Sequence, residues 1–328
     1  MKILLGSHHF FPSTGGIETV SNLLAREFVA LGHEVRVVTQ TPGSGDFPFT
    51  VVRQPGSLEL LRQVRWCDVF LQSNISLRTL WPLLFVRRPL FIAHHIWIMN
   101  RHGGTGWPER LKRFVLRYAT SFSISDAIAQ SLPVPSIRVG DPYDNKIFKD
   151  EGVTRTRELI FVGRLVSDKG AALLLDALKL MSAKPRLTIV GDGPERSALE
   201  KQASQLQSQV EFAGPQHGEQ LADSLRQHQI LVVPSIWQEP FGIVALEGIA
   251  CGCAVIGSAG GGLSEAIGPC GLTFPNGDAR ALADAITRLL DNPTERERLR
   301  QNAPAHLARF TPSRVAALYL EAMTKASR

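Results

Sequence analysis

Short apolar runs alternate with helical patterns along all 328 residues, and that alternation restricts the chain to an α/β architecture with parallel sheets. In the first half, Lys2–Leu5, Glu34–Thr39, Val69–Gln72 and Leu90–Ala93 read as strands. In the second half, Glu158–Val162, Arg186–Val190, Val210–Phe212, Ile230–Pro234 and Ala254–Ile256 do. Glu18–Leu31 reads as a helix, with Gly32-His33 as its stop. A break falls at Asp141-Pro142-Tyr143-Asp144-Asn145-Lys146-Ile147-Phe148, where proline and turn residues precede the fresh strand at Leu159. The length suits two domains, each with its own core. The expected fold is two Rossmann-like, doubly wound, parallel-sheet domains facing a cleft, so that both sets of strand-end loops meet at one ligand site. Their expected bounds are 1–150 and 151–310, with residues 311–328 as a terminal element in which Phe310 to Met323 read as an amphipathic helix.

Hydrophobic residues make up 44% of the chain and no apolar run approaches the roughly 20 residues that span a bilayer, so a globular protein is expected. Met1-Lys2-Ile3-Leu4-Leu5-Gly6 is too short for a signal-peptide apolar region and reads as the first strand. Cys67, Cys251, Cys253 and Cys270 lack metal-finger spacing and sit among apolar or Gly-rich neighbours, which predicts buried thiols and a cytoplasmic setting. Charge is uneven. Residues 1–150 carry 17 Lys+Arg against 11 Asp+Glu, a net of +6, whereas residues 151–328 carry 19 of each. An anionic partner is therefore expected on the first half: lipid headgroups, a phosphorylated acceptor or nucleic acid.

The chemistry concentrates in the second half. Glu239-Pro240-Phe241-Gly242-Ile243-Val244-Ala245-Leu246-Glu247 holds two carboxylates eight residues apart. Pro240 and Gly242 suit a loop, and Ile243 to Ala250 reads as a buried helix. Glu239 then lies just before a helix N-terminus and Glu247 about two turns into the helix. Free amides there attract phosphate, so Gly242 and Ile243 are candidate diphosphate donors, Glu239 a holder of sugar hydroxyls and Glu247 a holder of a ribose diol. In Phe161-Val162-Gly163-Arg164-Leu165-Val166-Ser167-Asp168-Lys169-Gly170 a strand delivers Arg164 and Lys169 to one loop. Two fixed cations are what a leaving diphosphate needs, Arg as a planar fork and Lys as a point charge. Ile189-Val190-Gly191-Asp192-Gly193-Pro194 is a further strand-to-loop turn.

In the first half, Phe11-Pro12-Ser13-Thr14-Gly15-Gly16-Ile17-Glu18 follows the first strand and opens a helix. The Gly15-Gly16 pair reads equally as a ligand-approaching turn or a flexible βα loop, and the G-x-G-x-x-G pattern of an NAD site is absent. His94 and His95 close the strand at Leu90–Ala93 on opposite faces, and a strand-end His lies in the ligand crevice of such a domain. Between Arg101 and Tyr118, Leu111, Phe114, Val115 and Tyr118 recur at helical spacing among Arg110, Lys112, Arg113 and Arg117. Two readings stay open: a core-packed helix with a solvated basic face, or an interfacial or acceptor-binding element with Trp97, Trp107 and the Arg101-His102-Gly103-Gly104 loop. Nucleic-acid binding is not expected, since no base-stacking aromatics or known module accompany the charge.

These motifs together resemble the retaining glycosyltransferases of the two-domain GT-B type, glycosyltransferase family 4, also called glycosyl transferases group 1. Their E-x7-E motif stands here as Glu239 to Glu247, with Pro-Phe-Gly after the first Glu and Ser235 before it. Arg164 and Lys169-Gly170 follow the family's donor-diphosphate clamp, and Gly163, Gly191, Gly193 and Phe241 fall in its donor loops. Gly260-Gly261-Gly262-Leu263-Ser264-Glu265 is also family-like, as is closeness of Phe212 to Gly218 to the base. The family's Gly-Gly loop matches Gly15-Gly16, and its active-site His matches His95 better than His94. Where the family commonly has Asn-Gly-Val-Asp, this chain has Asp141-Pro142-Tyr143-Asp144. The resemblance implies transfer of a hexose-like sugar from a UDP- or GDP-sugar to a glycan or lipid-linked acceptor, with retention. His95, Glu239, Arg164 and Lys169 would carry the chemistry and the last helix would cross back to the first domain. It implies no cofactor, and with no D-x-D motif no metal is expected. Peripheral contact with the anionic inner face of a membrane is a further expectation. An epimerase or phosphorylase on the same fold and a catalytically silent nucleotide-sugar-binding module are the alternatives.

Overall fold

The computed structural model describes residues 1–13, 15–99, 104 and 106–326. It divides into two compact units: unit 1 comprises Met1–Pro142 together with Phe310–Arg328, and unit 2 is the continuous segment Tyr143–Arg309. The division falls inside the proline-containing break, before the residue-150 boundary read from sequence. Arg226 accounts for the earlier start of unit 2. Its buried guanidinium donates to the carbonyls of Ile147 at 2.8 Å and Lys149 at 3.0 Å, fixing residues that otherwise read as linker.

Unit 1 is built on strands β1 (Lys2–Ser7), β2 (Glu34–Thr39), β3 (Thr50–Arg53), β4 (Val69–Ser73), β5 (Leu90–His94), β6 (Thr120–Ser123) and β7 (Ser136–Arg138). They form one sheet in the order β3-β2-β1-β4-β5-β6-β7, and every pairing is parallel. Unit 2 has β8 (Arg157–Val162), β9 (Leu187–Val190), β10 (Val210–Gly214), β11 (His228–Val233), β12 (Ala254–Ser258) and β13 (Gly271–Phe274), in the order β10-β9-β8-β11-β12-β13, again all parallel. Each order reverses direction once, between β1 and β4 and between β8 and β11. This is the doubly wound arrangement of the GT-B fold, and it leaves a crevice at the carboxyl ends of the two strands where the order turns.

Helices cover both faces of each sheet, so most central strands carry an unbroken apolar run, as Leu159, Ile160 and Phe161 form in β8. Burying each such Leu or Phe side chain stabilises the fold by roughly 1.5–3 kcal/mol. β3, β6, β7 and β13 escaped the sequence reading. β3, β7 and β13 are short edge strands, and β6, Thr-Ser-Phe-Ser, is polar. β6 tolerates burial because Ser121 Oγ meets His94 Nε2 at 3.3 Å and Ser123 Oγ accepts from Ser136 at 2.9 Å. The final helix, Pro312–Ala326, belongs to unit 1, where Tyr319 packs against Phe122 at 4.3 Å and Phe28 at 6.5 Å between ring centroids. All four cysteines are buried free thiols.

Candidate active site

The carboxyl ends of β8 and β11 carry the two strongest sequence motifs, and the structure ties their loops together. After β8 the chain makes a tight turn at Ser167–Lys169 and leaves it through Gly170 at φ 72°. The Asp168 carbonyl accepts from the amides of Ile236 at 2.9 Å and Trp237 at 3.2 Å, joining this turn to the exit of β11. Lys169 Nζ then lies 2.6 Å from Glu239 Oε1, and Ser235 Oγ donates to the same oxygen at 2.6 Å. Glu239 is buried and Lys169 half-buried, so the ion pair sits in a recess rather than on open surface. The Arg164 guanidinium is exposed, with no ion-pair partner among the described residues.

Two braces were missed by sequence reasoning. Asn276 donates from Nδ2 to the carbonyls of Ser235 and Ile236, each at 3.2 Å, and accepts from the Gly260 amide at 2.7 Å. The Gly262 amide donates to the Glu239 carbonyl at 2.7 Å, so the Gly-rich loop after β12 holds Glu239 by its backbone. Asn276-Gly277 announces a turn in sequence, but nothing local reveals which loop its amide clamps.

Gly191 (φ 139°) and Gly193 have a packing reason to lack a side chain. A Cβ on Gly191 would stand 1.9 Å from the Gly163 carbonyl oxygen, and one on Gly193 2.4 Å from that of Leu165. The Gly163 amide in turn donates to Val190 at 3.0 Å. These three glycines let the exits of β8 and β9 meet backbone to backbone.

The helix Ile243–Ala250 forms where it was expected, capped by Gly242 at φ 115° with no side-chain cap. The amides of Ile243 and Val244 precede its first internal hydrogen bond, so they remain available to an anion. Phe241 is buried. Glu247 stands four residues beyond the first helical residue Ile243, little more than one turn and not the two turns read from sequence. Its carboxyl is half-buried; burial first, and the nearby Asp144 charge second, push its pKa up to about 7.

The remaining candidates lie in unit 1. Gly15, in extended backbone, caps the helix Gly16–Ala30, beside Ser13 Oγ donating to Glu18 at 3.1 Å. Thr14 of that motif is outside the described residues. His95 follows β5, with its Nδ1 2.8 Å from Asp141 Oδ1, whereas His94 is turned to Ser121 and burial pulls its imidazole down to about 3. Within unit 2 the structure joins Lys169 to Glu239 and sets Gly191 against Gly163; Arg164, Gly193, Gly242, Ile243 and Glu247 belong to the same unit, and Gly15, Gly16 and His95 to the other.

Residues 144–306 match the family model described as glycosyl transferases group 1. A D-inositol 3-phosphate glycosyltransferase of Frankia alni is 37% identical over 202 residues, covering 56% of this chain and 49% of that protein. An uncharacterized glycosyltransferase of Methanocaldococcus jannaschii is 29% identical over 211 residues, covering 61% and 59%. The chain thus spans about half the length of the curated relatives it matches. Among solved structures, HepE of Anabaena in complex with UDP aligns at TM-score 0.85 and 19% identity, over 99% of this chain and 100% of that one. Sucrose-phosphate synthase of Thermosynechococcus elongatus aligns at 0.83 and 22%, over 99% and 98%. Through residues 144–306, nearly the whole of unit 2, this chain is similar to the glycosyl transferases group 1 family, and its two sheets carry the GT-B fold.

Proposed function

We propose that this chain is a retaining glycosyltransferase that moves a hexose-like sugar from a UDP- or GDP-sugar to a glycan or lipid-linked acceptor in the cytoplasm, in cell-surface polysaccharide or glycolipid synthesis. The observation that carries the reading is the recess in unit 2 where Lys169, Glu239 and Ser235 converge beside an uncapped helix N-terminus. Lys169 and Arg164 offset charge developing on the leaving diphosphate, where electrostatic stabilisation changes most between ground and transition state. The Gly242 and Ile243 amides bind phosphate oxygens, Glu239 holds sugar hydroxyls and Glu247 the ribose diol. These fixed cations take the part a divalent ion plays elsewhere, so the reaction needs no metal. HepE, solved with UDP and with UDP-glucose, supports UDP as the carrier. A mass-spectrometric screen of nucleotide sugars against mixed acceptors in EDTA tests the reading, alongside donor hydrolysis without acceptor. Transfer from a UDP- or GDP-hexose with the anomeric configuration kept is expected. Interconversion of the donor sugar alone would point to an epimerase, phosphate-dependent cleavage to a phosphorylase, and binding without turnover to a silent module.

Ribose hydroxyls donate best to an ionised carboxylate, whereas the Glu247 carboxyl titrates near 7 in the free protein. Nucleotide binding should therefore release a proton. Affinity for UDP should rise with pH up to about 7 and level off above, approaching tenfold per pH unit on the acid side, the limit for one linked proton. Calorimetry in buffers of different ionisation enthalpy measures the release. Glu247→Gln should flatten the slope; an unchanged slope in that variant would remove Glu247 from the ribose.

A membrane-facing acceptor is supported by the helix Trp107–Val115 and the turn Leu116–Tyr118. In this segment Glu109 and Leu116 are buried and Val115 packs against the core. Trp107 (74%), Leu111, Phe114 and Tyr118 (73%) are exposed, in a stripe flanked by exposed Arg110 and Arg117. The Arg101-His102-Gly103 part of the neighbouring loop lies outside the described residues. No described helix is long and apolar enough to cross a bilayer. Apolar insertion plus about 1 kcal/mol per basic residue near an anionic surface gives reversible, salt-sensitive docking. Sedimentation with anionic vesicles is expected to pull down the protein at low salt and to fail with neutral ones. Equal, negligible binding to both would redirect the search to an acceptor free in solution.

A further inference from the structure

His95 is fixed from two other parts of unit 1. Its backbone amide donates to Asn74 Oδ1 at 2.8 Å, and the Ile96 amide shares that oxygen at 3.2 Å. Asn74, at the exit of β4, reaches this position from a left-handed backbone at φ 56°. The ring itself is held by Asp141, Nδ1 to Oδ1 2.8 Å, with side chains only 2% and 7% exposed. His94 has no such anion and bonds a serine hydroxyl instead. Asp141 stands where the family pattern commonly has Asn, so a carboxylate against this imidazole is a property of this chain and not of the motif.

The difference between the two residues is chemical. A carboxylate only accepts hydrogen bonds, so the proton of the His95–Asp141 bond sits on Nδ1. An amide can turn its NH2 toward the ring and leave the proton on Nε2. We propose that Asp141 is the positioning residue of His95: it fixes the neutral imidazole as the Nδ1–H tautomer and so presents Nε2 as a hydrogen-bond acceptor for a substrate hydroxyl. With Nε2–H the ring would offer a donor at the same place, favouring a carbonyl or phosphate oxygen over a hydroxyl proton. The functional part of the inference rests on the assignment of His95 to the glycosyltransferase site; the tautomer does not.

The two are separable by experiment. Long-range 1H–15N spectra of the full chain, with His95 assigned by comparison with His95→Gln, report which ring nitrogen carries the proton. The wild type is expected to show Nδ1–H, and Asp141→Asn a shift to Nε2–H, with turnover down on the order of tenfold to a hundredfold, as for a misplaced reacting group, and KM for the donor little changed. Asp141→Glu, which keeps the acceptor, is expected to keep the tautomer and recover part of the rate, and it covers the case in which Asp141→Asn fails to fold. Persistence of Nδ1–H in Asp141→Asn, or Nε2–H in the wild type or in Asp141→Glu, would overturn the inference. A tautomer that switches while the rate stays at the wild-type level would uphold it and remove His95 from the proposed site.

Discussion

Arg164→Gln and Lys169→Met are each expected to lower sugar-transfer turnover by about a hundredfold or more, the scale of losing one charge-stabilising group aimed at a developing anion. The two variants should differ in stability. Arg164 is exposed and has no ion-pair partner among the described residues, so its loss should leave unfolding within about 0.5 kcal/mol of the wild type. Lys169 pairs with buried Glu239, and its removal leaves that carboxylate with the Ser235 hydroxyl. Lys169→Met should therefore lose some stability as well as rate, while Arg164→Gln isolates the chemistry. Steady-state kinetics beside urea unfolding separates these effects. Wild-type rates in both variants would dissociate the two cations from the diphosphate.

Gly170→Ala is expected to be a severely damaging small substitution near the site. Gly170 has φ 72°, and a Cβ there would stand 1.9 Å from the Pro234 carbonyl oxygen, a backbone atom at the end of β11. Relief requires moving either the turn that carries Lys169 or the loop that carries Ser235 and Glu239. Gly152 supplies the control: its φ is 71°, yet nothing lies within 4 Å of its Cβ position. Gly152→Ala should cost about 1 kcal/mol from backbone strain alone, and Gly170→Ala about 2 kcal/mol more together with weakened UDP binding. Equal unfolding midpoints for the two variants would show that the close approach does not hold the loops.

Most central strands of both sheets were legible because helices cover them on both faces and each carries an apolar run. β6 was not, since Ser121 and Ser123 are buried through hydrogen bonds to His94 and Ser136 that only the assembled sheet supplies. The same division runs through the site. Arg164, Lys169, Glu239 and Glu247 stand out by spacing within two short segments, and the start of the helix at Ile243 follows from Pro240 and Gly242. The clamp made by Asn276 and the grip of Asp141 on His95 span 41 and 46 residues of chain, beyond any local pattern.

Unit 1 is made from both sides of unit 2, with Phe310–Arg328 returning to the sheet begun at Lys2. A ribosome synthesising this chain releases the whole of Tyr143–Arg309 before Phe310 emerges. The second sheet has all its strands and covering helices in hand at that moment, while the first still lacks Tyr319 between Phe28 and Phe122. The order in which the two cores can be completed is thus the reverse of the order in which their first strands are made, and the half that carries His95 waits for the last helix.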